Sequence, residues 1–201
     1  MSHMDIALSL ARRSLGAVSP NPSVGAVVVK GGIAVGEGCT QPPGREHAEI
    51  MALQEAGARS EGATLYSTLE PCNHRGRTPP CTAAIVRAGI SEVRVATLDP
   101  NPNVAGGGVQ ALEEAGVRVR VGEGEKRARL LMEAYFKYVE EGMPFVTAKF
   151  AMTLDGKIAT HTGDSKWISG DKARWEVHGL RHISDAIMVG ILAKCCQTGR
   201  K

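Results

Sequence analysis

Three residues in this chain carry side chains that can hold a metal together. His47 opens the segment HAEIMALQEAG, and Cys72 and Cys81 bracket the stretch NHRGRTPP. One imidazole and two thiolates suit Zn²⁺, a borderline-soft ion that takes N and S ligands in a tetrahedron. Three protein ligands leave the fourth position to water, whose pKa zinc lowers from near 16 to roughly 7. Glu49 stands two residues after His47. Positions i and i+2 do not share a face in mid-helix, but in a first turn both side chains reach the space beyond the helix end. A carboxylate there can take a proton from water and pass it to a leaving group. A lone His-x-Glu or a lone Pro-Cys is ordinary. Here the two pieces occur in order, separated by one strand, each at a helix start, where the helix dipole favours the thiolate form.

The elements that must position these residues follow from periodicity. Residues 5–16 space Ile6, Ala7, Leu10, Ala11 and Leu15 as one face of a helix. The β-branched run 24–30, the pair Gly31-Gly32 and the return 33–38 read as a hairpin. Helices are predicted over 47–57, 82–89, 108–115 and, as one long helix, 125–141; strands over 63–69, 92–98 and 117–121. Strands alternating with helices from about Thr64 predict a mixed, mainly parallel sheet in a three-layer α/β/α domain, preceded by one antiparallel hairpin. That domain spans 5–143. Ser2-His3-Met4 reads as an added leader outside it. Residues 144–201 begin a second, incomplete α/β domain, with a strand to about Met152, a helix over 171–182 and a buried strand over 185–190.

Composition sets bounds. The 201 residues are 43% hydrophobic and 22% charged, as in ordinary globular proteins. A net charge of +3 is too mild to argue for nucleic acid as a partner and would not oppose a small phosphorylated ligand. No apolar run approaches the ~20 residues of a membrane span, and no signal peptide is apparent, so no membrane association and a cytoplasmic location are expected. Five cysteines, two of them adjacent in the tail, make a poor disulfide framework. Cys39 reads as a small buried hydrophobe, and Cys195 and Cys196 as incidental.

His-x-Glu followed by Pro-Cys and a second Cys is the signature of zinc-dependent nucleobase deaminases. The usual second element is Cys-x-x-Cys. The run Cys72-Asn73-His74-Arg75-Gly76-Arg77-Thr78-Pro79-Pro80-Cys81 departs from it and closely resembles one branch, the riboflavin-pathway pyrimidine deaminase–reductases of the cytidine deaminase-like group. The stretches from Pro20 to Gly25, Thr68 to Cys72 and Asp99 to Pro102 resemble the family's substrate loop, its approach to the zinc and its loop after the fourth strand. The resemblance implies hydrolytic deamination of 2,5-diamino-6-(5-phospho-ribosylamino)pyrimidin-4(3H)-one, a phosphorylated aminopyrimidine. It makes the long loop a ligand-binding wall, with His74, Arg77 and Thr78 contacting ring, ribose or phosphate. Asn21 and Asn101, which donate and accept at once, suit the edge of an aminopyrimidinone.

In this family an NADPH-dependent reductase domain follows. Residues 144–190 resemble its beginning, which implies Ala151 and Trp167 near NADPH and Ser165 and Arg181 near the sugar phosphate. The continuation after Gly190 departs from the family, so the expectation is deaminase activity without a complete NADPH site. A homo-oligomer is expected. The rival readings are a deaminase acting on cytidine, guanine or a tRNA base, and a non-catalytic, zinc-stabilised remnant. The long loop and the mild charge oppose the first, and Glu49 opposes the second.

Overall fold

A computed structural model describes residues 2–74, 79–102 and 104–189. The chain divides into two compact units, Met1–Val146 and Thr147–Lys201. Among the described residues, no helix is long and apolar enough to cross a membrane.

The first unit runs α1 (His3–Ser14), β1 (Gly25–Lys30), β2 (Ile33–Cys39), α2 (Ala48–Ala56), β3 (Thr64–Ser67), α3 (Cys81–Arg87), β4 (Glu92–Val95), α4 (Gly107–Glu114), β5 (Arg118–Val121), α5 (Glu125–Leu131) and α6 (Glu133–Glu141). The five strands form one mixed sheet in the order β2-β1-β3-β4-β5. The hairpin closes through Gly31 and Gly32, whose φ values of 57° and 81° suit the two-residue turn that matches strand twist. Its inner strand β1 also pairs antiparallel with β3, with Val27 opposite Tyr66, whereas β3–β4 and β4–β5 are parallel.

Helices cover both faces of the β2-β1 part of this sheet. Ala7 and Ala11 of α1 approach the sheet at Gly25, and Ala48, Ala52 and Ala56 of α2 approach the opposite face at Gly36 and Gly38. Residues Ala26 to Val28 of β1 are fully buried between them, as the continuous apolar run of a strand covered on both sides requires. On the open face of β4 and β5 the sequence alternates instead. Glu92 there lies among Arg94, Arg118 and Arg120, at 2.9, 3.7 and 3.4 Å.

Three expectations change. Ser2, His3 and Met4, expected outside the first domain, pack as part of the first unit. Ser2 caps α1 in a reciprocal capping box with Asp5, and Met4 is fully buried in the core. The single helix over 125–141 breaks at Met132, whose φ of −108° and ψ of 23° leave the helical region. The hydrogen bonds Met132 N–H to Ala128 O and Phe136 N–H to Met132 O persist at 3.1 and 3.0 Å, so the buried row Ala128, Met132 and Phe136 passes through the kink and keeps its face to the core.

The second unit supplies the third change. Its helix α7 (Asp171–His182) is where periodicity places it. The expected strands ending near Met152 and beginning at Asp185 are absent among the described residues, and Phe150, Met152, Ile187 and Met188 are exposed. A strand needs a neighbour for its ladder, and the described residues of this unit offer none. Gly190 to Cys196, including Cys195 and Cys196, lie outside the described residues.

The glycine contacts generate a stability prediction. A Cβ at Gly38 would lie 2.2 Å from the Ala48 carbonyl oxygen, a backbone atom that cannot move aside. Gly31 faces open space and carries only the cost of its positive φ. Gly38→Ala is expected to cost about 3 kcal/mol or more, the upper range for overpacking; Gly31→Ala is expected to cost about 1 kcal/mol. Urea denaturation of the two variants checks the difference.

Candidate active site

His47 is the N-cap of α2, with φ −77° and ψ 162°, so its extended backbone carries the imidazole off the helix end. Glu49 lies in the first turn of the same helix and is 4% exposed. Cys72 follows β3, and Cys81 is the first residue of α3. The chain that leaves Cys72 is tied back to the helix it leads to. Cys81 N–H donates to Cys72 Sγ at 3.5 Å, Thr82 N–H to Cys72 O at 3.2 Å, and Thr82 Oγ1 to Asn73 Oδ1 at 2.7 Å.

His47 Nδ1 lies 3.6 Å from Cys72 Sγ and 3.3 Å from Cys81 Sγ, and the three ligand atoms are all within 4.8 Å of one another. Tetrahedral zinc bonds of ~2.3 Å to sulfur and ~2.05 Å to nitrogen place S and N about 3.6 Å apart. The donor set and its spacing therefore fit zinc. Glu49 Oε2 lies 3.7 Å from Cys81 Sγ.

These groups perturb one another. Burial pushes the Glu49 carboxyl up to about 7, and the charge of Cys72 adds to the effect. Cys72 is pulled down to about 4, chiefly because the Cys81 thiol hydrogen-bonds to it and His47 does so as well. Cys81, which keeps the shared proton, is raised by that bond and by burial. The hydrogen bond to Cys72 raises His47. A thiolate beside a protonatable imidazole is the state from which a cation displaces protons.

A cavity of about 420 Å³ opens on this cluster, and every residue lining it belongs to the first unit. Of the residues expected from sequence, His47, Glu49, Cys72, Asn21, His74 and Asn101 line it. Cys81 is fully buried behind them. Arg77 and Thr78 lie outside the described residues. Ala151, Ser165, Trp167 and Arg181 all fall in the second unit, where the Arg174 guanidinium stacks over the Trp167 ring at 4.3 Å.

Four ionisable cavity residues received no individual role from sequence: Arg45, Glu70, Asp99 and Tyr135. Glu70 accepts four main-chain N–H groups, from Asp99 at 3.2 Å, Gly106 and Gly108 at 2.9 Å and Val109 at 3.0 Å. It binds the N-terminus of α4, where orphan N–H groups and the helix dipole favour an anion. Asp99 Oδ1 accepts from Asn101 N–H and from the Tyr135 hydroxyl, both at 2.9 Å. Burial raises the pKa of both Asp99 and Tyr135. A carboxylate ahead of Pro71-Cys72 was a visible signal for Glu70. Tyr135 had none, because its partner is 36 residues away.

Residues 1–97 match the family model described as the cytidine and deoxycytidylate deaminase zinc-binding region, and residues 144–199 match the RibD C-terminal domain. The riboflavin biosynthesis protein RibD of Aquifex aeolicus is 54% identical over 190 residues, 94% of this chain and 53% of that protein. The chain belongs to the RibD family. It spans about half the length of the curated RibD proteins it matches. Among solved structures, the Thermotoga maritima diaminohydroxyphosphoribosylaminopyrimidine deaminase/5-amino-6-(5-phosphoribosylamino)uracil reductase is 47% identical with a TM-score of 0.91, covering 96% of this chain and 56% of that one. The Aspergillus oryzae Rib2 deaminase, a C-terminal deletion mutant in complex with DARIPP, is 26% identical with a TM-score of 0.55; the match covers 69% of this chain and 92% of that one. RibD membership agrees with the cytidine deaminase-like fold of the first unit and with a partial second domain.

The role of Glu70 is testable. In Glu70→Gln an amide NH₂ replaces an oxygen that accepts main-chain N–H groups, and the charge is lost. The change is expected to lower stability by about 1.5–3 kcal/mol, the value of hydrogen bonds to a charged group. Amide exchange at Gly106, Gly108 and Val109 should accelerate, while zinc content stays at that of the unsubstituted chain.

Proposed function

We propose that this chain deaminates 2,5-diamino-6-(5-phospho-ribosylamino)pyrimidin-4(3H)-one, replacing its 2-amino group by oxygen to give 5-amino-6-(5-phospho-ribosylamino)uracil and ammonia. One observation carries the reading: a buried carboxylate, Glu49, stands 3.7 Å from Cys81 Sγ in a zinc-compatible His-Cys-Cys cluster that opens onto a ligand-sized cavity. The complex of the Aspergillus oryzae Rib2 deaminase with DARIPP supports the substrate class. The RibD relatives support the pathway.

His47, Cys72 and Cys81 would hold the zinc, a Lewis acid that brings the pKa of water towards neutrality. Glu49 takes a proton from the water whose oxygen adds to the ring carbon bearing the 2-amino group. It returns that proton to the amine nitrogen, the C–N bond breaks, and ammonia leaves, so one water enters for each ammonia released. Asn21 and Asn101 present amides to the ring edge, each able to donate and accept. His74 stands at the start of the long loop and contacts the same ligand. The reading covers the deaminase step alone, because every residue that carries it lies in the first unit.

The deciding experiment is ammonia release by zinc-loaded protein from the diaminopyrimidinone ribotide, with guanine and cytidine in parallel. Release from the ribotide alone is the expected result. Release from cytidine or guanine instead would replace the substrate assignment, and no release from a chain holding one zinc would leave a zinc-stabilised remnant. Glu49→Gln should keep its zinc and lose at least ~100-fold in kcat, as removal of a general acid–base does. Turnover near the unsubstituted rate in that variant would exclude Glu49 as the proton carrier.

A further inference from the structure

We infer that Arg45 selects the phosphorylated form of the substrate by pairing with its phosphate at the rim of the cavity while the pyrimidine lies inward. The inference rests on the proposed deaminase reading and adds a specificity determinant to it.

The charges of the cavity impose this orientation. Glu49, Glu70 and Asp99 all line it, and among the described lining residues Arg45 is the one Arg or Lys. Main-chain N–H groups and the Tyr135 hydroxyl occupy the oxygens of Glu70 and Asp99, and neither side chain offers a phosphate a cation. Three carboxyl side chains give a phosphate dianion no cationic partner in a partly buried site, whereas an aminopyrimidinone carries no charge that needs one. The phosphate therefore faces outward, and Arg45 is an exposed residue two positions before His47. Two residues span at most ~7 Å of chain, so the guanidinium swings from an anchor close to the cluster.

The anchor is braced. Arg45 N–H donates to Pro42 O at 3.0 Å, and Gln41 N–H donates to Glu46 O at 3.1 Å, closing a short turn through Pro42, Pro43 and Gly44. At its base Thr40 N–H donates to Val24 O at 2.9 Å, which pins the turn beside the start of β1. Two prolines reduce the freedom the turn would otherwise lose on binding. Among the described residues no carboxylate forms an ion pair with Arg45, so its planar fork is open to a bidentate phosphate contact.

The test compares ammonia release from the ribotide and from its dephosphorylated riboside by the full zinc-loaded chain, as unsubstituted protein, Arg45→Ala and Arg45→Lys. Arg45→Ala should raise KM for the ribotide about ten- to a hundredfold, the size of a lost charge-assisted pair. Its kcat and its KM for the riboside should stay put, and Arg45→Lys should fall between. Zinc content and melting temperature show that the variants are folded. Equal KM changes for ribotide and riboside, or none for either, overturn the inference. If the unsubstituted chain releases no ammonia from either compound, the deaminase reading falls first and takes the inference with it; turnover by that chain leaves the inference alone at stake.

Discussion

The close approach of α2 to β2 governs the geometry of the whole site. Gly36 and Gly38 point at the helix with no side chains, and Ala48, Ala52 and Ala56, four residues apart, form the helix row that faces them. Backbone touches backbone, so the helix can neither roll nor slide without a clash. α2 begins with His47 and Glu49, and fixing its axis fixes both. The proposed proton transfer needs its donor and acceptor held to a fraction of an ångström, because a shift of 1 Å costs on the order of a hundredfold in rate.

Three carboxylates share the cavity, and their partners give them different work. Glu70 is surrounded by four N–H groups at the start of α4 and serves as a structural anion. Asp99 is held by the Tyr135 hydroxyl and by Asn101 N–H and orients the loop that presents Asn101. Glu49 has a thiol and an imidazole for neighbours, and burial raises its carboxyl to about 7. The same functional group becomes a cap, a brace or, in the proposed reaction, a proton carrier according to how many donors reach it.

What was legible in the sequence is what depends on local spacing. His47, Glu49 and Cys81 announce themselves because such side chains at helix starts are a short-range pattern, and Cys72 because it follows Pro71 just past a strand. Gly31-Gly32 announces the hairpin for the same reason. Every strand of the first unit lies where alternation and β-branching place it. The misses share a physical cause, which is dependence on distant partners. Met4 looks dispensable to the fold until the core that buries it is assembled. The kink at Met132 preserves a buried row and leaves no trace in helix propensity. Tyr135 reaches Asp99 across 36 residues. Residues 185–189 have the composition of a buried strand, but composition cannot supply the neighbouring strand that a ladder requires.

The antiparallel entry of β1 explains why the site assembles at one edge of the sheet. β1 runs against β3, so the residues before β1 sit at the same edge as those after β3. β2 runs against β1, so the chain leaving β2 towards His47 emerges there too. β4 is parallel to β3 and delivers Asp99 and Asn101 to that edge. The hydrogen bonds Thr40 N–H to Val24 O, Thr68 N–H to Gly25 O and Glu70 N–H to Thr97 O, at 2.9, 3.1 and 3.0 Å, stitch these four segments together beyond the strands. Asn21, Arg45, Glu49, Cys72 and Asn101 therefore meet although 80 residues separate the first from the last. Were β1 parallel to β3, the segment carrying Asn21 would emerge at the far edge and the cavity would lose a wall. The hairpin that makes the sheet mixed is thus what brings the segment carrying Asn21 to the zinc-compatible cluster.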